Sequence, residues 1–166
     1  ISLYISKFKL NSKLDNEFYI VDSTTLRIGK DKTKNSYSGY KHHHGVKFQV
    51  IVNDKSIIQN ISKAYPSSID DNKLFKCEYK DLSNKIDKNL KILGDKGYAG
   101  LEEYQLTIPI KRNEREYKKD KTLAKTNNQL ISRKRIKIEH VFAYMKNFRI
   151  LQRLNYYKMN KIELFF

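Results

Sequence analysis

Phe18 to Val21 is an apolar run that passes without a polar break into a carboxylate, Asp22, and then into Ser23 and the β-branched pair Thr24 and Thr25. Such a run lacks the every-other-residue alternation of a half-exposed strand, so it predicts a central strand of a sheet. Asp22 is the anomaly in that setting. A carboxylate delivered by an apolar strand is costly unless a cation or hydrogen bonds compensate it.

The remaining elements can be placed around this strand. Residues 30–44 are rich in Lys, Ser, Gly, Asn and His and read as a loop or long hairpin connection. VKFQVIVND reads as a second strand, residues 53–56 as a turn, and SIIQNISKAYP as a third strand, together an antiparallel meander. After Pro66, two serines followed by IDDNKLFK make a helix start with acids in its first turn, where the helix dipole favours them. KILGD is a short buried strand ending at Gly94 and Asp95, and GYAG is a turn. LTIPIKR is another short strand, which Pro109 assigns to an edge. From about Lys118 through at least Asn147 the pattern is helical. The order is three strands, a helix, two strands and a helix, without repeats or a low-complexity linker. That predicts one α/β domain over residues 17–166, a mixed sheet flanked by helices, preceded by an entry segment at residues 1–16.

A formal charge of +16 calls for an anionic partner, with nucleic acid the foremost class. Lysine alone is weak support, because an abundance of Lys, Asn, Ile and Tyr is also what a low-GC coding bias produces. The arginines are more telling: six of the seven lie between Arg112 and Arg153, a localised basic region. A single cysteine, Cys77, excludes an intramolecular disulfide and reads as a packed small side chain. No apolar run approaches the roughly 18 residues of a membrane span, and no signal-peptide pattern opens the chain, so the expectation is a soluble, cytoplasmic protein without a membrane partner.

Three acids stand out. Asp22 and Asp95 each lie at or near the end of an apolar strand; each also has a plainer reading as the cap of a turn. Glu139 is the lone acid among seven Lys or Arg residues in RKRIKIEHVFAYMKNFRILQR. At roughly 100° per residue, Arg135, Glu139 and Lys146 fall within about a 40° arc, beside an apolar face of Ile138, Val141, Phe142 and Met145. The plainer alternative there is a surface salt bridge between Arg135 and Glu139. Three carboxylates from two strands and a helix suit a pair of Mg²⁺ ions, hard cations that take oxygen ligands and, about 4 Å apart, support phosphodiester cleavage. KHHHGVK is a poor zinc site, since only His42 and His44 could converge and no Cys lies near. It reads instead as a basic loop with Lys41 and Lys47 as phosphate contacts.

The succession VDST, HHHGVKFQVIV, AYPSSIDDNKLF, LGDKGYAG and RKRIKIEHVFAYMKNFRIL resembles the DDE-type transposases of bacterial insertion sequences. The nearest branch is the fifth insertion-sequence family and its relatives, the DDE superfamily endonucleases, and the likeness covers about residues 17 to 155. Its most specific part is Arg, three residues, Glu, six residues, Lys, met here by Arg135, Glu139 and Lys146; the family's preceding Tyr falls on Ser132. The resemblance implies an RNase H-like fold, with Asp22, Asp95 and Glu139 as the catalytic, metal-binding acids. It further implies two Mg²⁺ ions, with Mn²⁺ as a substitute, and nicking and strand transfer at transposon ends. The partner would be double-stranded DNA, both ends and target, gripped by Arg135, Lys146, Lys41, Lys47, Lys96 and Arg133, with a homo-oligomer as a further expectation. Members are usually longer, with an N-terminal helical DNA-binding region, so residues 1–16 are expected to be a remnant of that region in a catalytic-domain fragment or a decayed element. Two alternatives stay open: a non-catalytic DNA-binding remnant or inhibitor, and a host nuclease of the same fold.

Overall fold

The computed structural model describes residues 17–28, 36–39, 42–83, 86–87 and 89–148. Strand β1 (Phe18–Arg27) occupies the middle of the sheet, as the apolar run requires. On one side it pairs antiparallel with the long strand β3 (His43–Asn53), from Tyr19 opposite Asn53 to Arg27 opposite Gly45. On the other it pairs parallel with β6 (Lys91–Leu93), which in turn pairs parallel with β7 (Leu106–Thr107). The free side of β3 takes three short strands in succession: β2 (Tyr37–Ser38), β5 (Tyr65–Pro66) and β4 (Ile58–Ile61). The result is a mixed seven-stranded sheet, antiparallel in its first half and parallel in its second, in the α/β class that the element order predicts.

Two helices cover the sheet, and strand periodicity assigns each residue to one of them. Tyr19 and Val21 of β1 point into a cluster with Ile51, Ile92, Leu106 and the α1 residues Phe75 and Leu82 (α1, Asp71–Leu82). Phe18 and Ile20 point the other way, into a cluster with Val50, Val52, Leu93 and two residues of the long C-terminal helix, Ile138 and Phe142. A short helix α2 (Arg115–Lys119) precedes that long helix, α3 (Lys121–Lys146). With β1 covered on both faces, every residue from Phe18 to Val21 is buried, and the missing alternation is explained. The apolar face of α3 falls where its periodicity places it: Ile138 and Phe142 are buried and Val141 and Met145 pack beside them.

Several local expectations change. Asp22 is the fifth residue of a ten-residue strand, not its end. The third strand of the meander is two short ones, β4 and β5, and the residue 30–44 connection contributes β2. Helix α1 begins at Asp71 with Asp70 as its N-cap, three residues past the serines. LTIPIKR keeps its edge position but only Leu106 and Thr107 pair, with Pro109 beyond the ladder. Cys77 is exposed on α1, and it is Glu78 beside it that is buried, its carboxylate accepting the Tyr65 hydroxyl at 2.6 Å. No helix among the described residues is long and apolar enough to cross a membrane.

Ile138 is fully buried between α3 and β1, so it couples the position of this helix to the sheet. Ile138→Ala is expected to lower the unfolding free energy in urea by about 2–5 kcal/mol, as deletion of buried aliphatic atoms does; a loss under about 1 kcal/mol would mean that α3 is not docked there.

Candidate active site

Register alone places two of the three acids together. Leu93 of β6 lies opposite Ile20 of β1 in parallel pairing, so two residues further on Asp95 comes alongside Asp22. Both then share the parity of Ile20 and Leu93, which is the α3 face of the sheet. Gly94, just before Asp95, packs closely against the neighbouring strand, since a Cβ there would meet Leu106 Cδ2 at 2.9 Å. After Asp95 the chain turns into a short 3-10 helix (Lys96–Tyr98), and the Asp95 carboxylate accepts the Lys96 N–H at 2.6 Å. The capping reading of Asp95 is therefore real, and compatible with its place beside Asp22.

Arg135 reaches down from α3 into this pair. Its Nη2 donates to Asp22 Oδ2 at 2.9 Å, and its Nη1 lies 3.6 Å from Asp95 Oδ1. The Asp22 Oδ1 accepts the Ser23 N–H at 2.7 Å. Asp22 and Arg135 are mostly shielded, with side-chain exposures of 22% and 14%, while Asp95 is half exposed. Burial pushes the Asp22 carboxyl above the ordinary carboxylate range; Arg135 and the Ser23 N–H draw it back down, and Asp95 and Asp71 push it further up. One guanidinium thus undercompensates the buried negative charge, and the Arg135 Nε is itself buried without a hydrogen-bond partner.

A second set of polar residues lies on the opposite face of the same strand. Ser23 Oγ donates to Asp71 Oδ1 at 2.5 Å, and Lys47 Nζ donates to Ile69 O at 2.5 Å and lies 3.3 Å from Asp71 Oδ1. The Tyr98 hydroxyl is buried among these groups without a well-formed hydrogen bond; burial, then Asp71 and Asp22, raise its pKa well above that of an ordinary tyrosine, so it remains a proton donor. Asp71 and Ser23 are functional candidates that the sequence reading passed over as a helix-start acid and a turn residue. Their signal lay in parity, since Ser23 must face the helix layer opposite to that faced by Asp22.

The other expected residues are spread around this centre. Glu139 is exposed on α3, one turn beyond Arg135, and among the described residues no three His, Cys, Asp or Glu side chains are gathered closely enough to hold a metal ion. The three-carboxylate cluster is therefore not assembled in this arrangement, in which the guanidinium stands between Asp22 and Asp95. Lys47, expected on phosphate, is turned inward to Ile69 and Asp71 with its side chain 14% exposed. Lys96, Arg133 and Lys146 are exposed, and Lys41 lies outside the described residues. His44 Nδ1 is 2.8 Å from Ser36 Oγ, and His43 Nδ1 3.1 Å from His44 O.

Beside Asp95 opens a groove of about 400 Å³ between the 3-10 turn, the segment after β7 and α3. Lys96, Arg112, Lys125 and Arg135 line it with Gln129 and Ser132, the position where the resemblance expects Tyr. Asn128 fixes its wall by pairing with both the N–H and the carbonyl of Ile110, at 2.8 and 2.9 Å.

The ion bridge makes an asymmetric prediction. Arg135→Gln leaves Asp22 and Asp95 together without a counter-charge, and in EDTA should cost about 3 kcal/mol in urea unfolding, the low end for stranding a buried charge. Asp22→Asn should cost less, and added to Arg135→Gln it should restore part of the loss; additive losses would show that the bridge is not formed.

No curated protein is significantly similar to the chain. Among solved structures, the piggyBac transposase in a synaptic complex with hairpin DNA, determined by cryo-EM, aligns with 60% of this chain at 21% identity and a TM-score of 0.41, and the chain spans 24% of that transposase's length. A family model describes the chain more fully. Residues 21–166, from the strand that carries Asp22 through the helix that carries Arg135, match the model of the DDE superfamily endonucleases, and the chain belongs to that family.

Proposed function

We propose that the chain is the catalytic domain of a DNA transposase, cutting DNA strands at the ends of an insertion sequence and joining them to a target. The observation that carries this reading is the register that delivers Asp22 and Asp95 side by side from adjacent parallel strands, under a basic helix. Carboxylate oxygens are the donors that a hard divalent cation takes. Asp22 and Asp95 would hold Mg²⁺, or Mn²⁺ in its place, with Glu139 as the third acid. When bound, such ions activate an attacking water or hydroxyl and stabilise the leaving oxygen of a phosphodiester.

The chain's own residues then divide the remaining work. Arg135 lines the groove beside Asp95 while its two Nη atoms face the carboxylates, so a DNA phosphate entering that groove would meet the guanidinium beside the acids. Lys96, Arg112 and Lys125 extend that positive lining along the groove, and Arg133 and Lys146 add exposed charge along α3. Phosphate contacts of this kind fix the DNA in register without reading its sequence. Double-stranded DNA is therefore the partner, with assembly into a homo-oligomer part of the same proposal.

One observation favours a second reading, a DNA-binding remnant without catalysis: Glu139 is exposed and three acids are not gathered. Cleavage decides between them. With Mg²⁺ or Mn²⁺ and DNA carrying the element's ends, the wild type is expected to nick at the ends, and Asp95→Asn to lower the rate on the order of 10³-fold or more. Equal rates would remove Asp95 from catalysis and sink the proposed acid set; cleavage by neither, with binding intact, would select the remnant. Binding itself should weaken as salt rises, and removing Lys96 or Arg112 should each reduce the slope of log K against log salt by about 1 if it contacts phosphate.

A further inference from the structure

Asp71 has no part in the three-acid scheme, yet it touches both segments that carry the acids of the pair. It opens α1, where a carboxylate ordinarily faces solvent near the helix N-terminus. Here Oδ1 accepts the Ser23 hydroxyl at 2.5 Å. The other oxygen, Oδ2, lies against the 3-10 turn that follows Asp95, close enough that a Cβ on Gly97 would stand 3.2 Å from it. The adjacent Asn72 Nδ2 donates to Ala99 O at 2.7 Å, binding the first turn of α1 to the same segment.

Ser23 carries the connection through the sheet. Its side chain points to the α1 face and is held by Asp71, while its backbone N–H holds Asp22 Oδ1 at 2.7 Å on the α3 face. Lys47, tied to Ile69 O and to Asp71, keeps Asp71 directed at β1. We infer that Asp71 is a positioning residue which, through the Ser23 hydroxyl, fixes the residue 23 amide that orients the Asp22 carboxylate, and that a cation held by Asp22 depends on this link. The last clause rests on the metal-binding role proposed above; the orienting link itself does not.

Partners that orient a metal ligand commonly change affinity roughly 10- to 100-fold when removed. Two measurements on the full chain test the proposal: Mn²⁺ affinity by calorimetry, and the chemical shift of the residue 23 amide proton in metal-free protein. Asp71→Ala and Ser23→Ala should each weaken Mn²⁺ binding roughly tenfold or more and move that amide proton upfield, and the double variant should be no weaker than either alone. Asp71→Asn keeps an acceptor for Ser23 and should retain most of the affinity. If Asn is as damaging as Ala, Asp71 acts through its charge alone and the positioning role is overturned. An unchanged amide shift in Asp71→Ala overturns it as well. Should the wild type bind no Mn²⁺, the metal reading fails, and the amide shift alone decides the orienting link. If Asp71→Ala does not fold, Ser23→Ala, which deletes one oxygen, makes the same test.

Discussion

The guanidinium of Arg135, held between Asp22 and Asp95, is the interaction on which the site's arrangement depends. Strand register brings the two carboxylates together regardless of their mutual repulsion, because Tyr19 and Ile20 are locked against Ile92 and Leu93 in the core. The like charges must then be met by a cation, and the nearest element able to supply one is α3. The helix is 113 residues away from Asp22 in sequence, yet Ile138 and Phe142 dock it on the sheet and leave Arg135 one turn earlier, above the pair. Hydrophobic docking sets where the cation can be, and the acids decide that it must be there. Neither is sufficient alone: an undocked α3 strands two carboxylates, and a docked α3 without Arg135 covers Asp22 with no cation to meet it.

A single strand also transmits position between the two helical layers. Consecutive residues Asp22 and Ser23 point to opposite faces, the first to α3 and Arg135, the second to α1 and Asp71. Such a step in the middle of β1 is expensive unless both polar side chains are satisfied. Both are: Asp22 by a guanidinium and a backbone N–H, Ser23 by a carboxylate. The polar break in an otherwise apolar strand is thus where the two layers are tied to each other through hydrogen bonds and not only through packing.

The fold was legible because its signals are local. The apolar run at β1, the turn at residues 53–56, the amphipathic face of α3 and the charged edge after β7 can each be read within a dozen residues. Asn53 shows how literally: its side-chain oxygen accepts the N–H groups of Lys55 and Ile57, closing the turn read from composition. The acids Asp22 and Asp95 were legible for the same reason, each terminating or interrupting a short apolar run. What could not be read was which partner each charge would find, because that depends on register between segments far apart. Lys47 looks like a free cation in a basic loop, but falls in β3 opposite Thr25 and faces α1, so Asp71 takes it. Cys77 and Glu78 differ by one helical position of 100°; Glu78 falls on the buried face of Leu74, Phe75 and Leu82, where the hydroxyl of Tyr65, from another strand, meets its carboxylate.

The same distinction governs how the charge of the chain should be weighed. A total of +16 is a statement about composition, and part of it serves the fold. Lys47 is internal, and Lys134 and Lys137 lie over the ring of Phe18, where a stem packs against apolar surface and the ammonium meets the ring face. Subtracting such lysines does not weaken the case for an anionic partner; it concentrates it. Lys96, Arg112, Lys125 and Arg135 remain, from three separate segments, gathered around one groove that Asp95 also lines, and Arg135 links that groove to Asp22. A uniformly basic surface would attract polyanions without orienting them. On the proposed function, positive groups converging beside an acid pair would instead bring a phosphodiester to a place where its negative charge and that of the acids must be reconciled, a demand that a bound cation would meet.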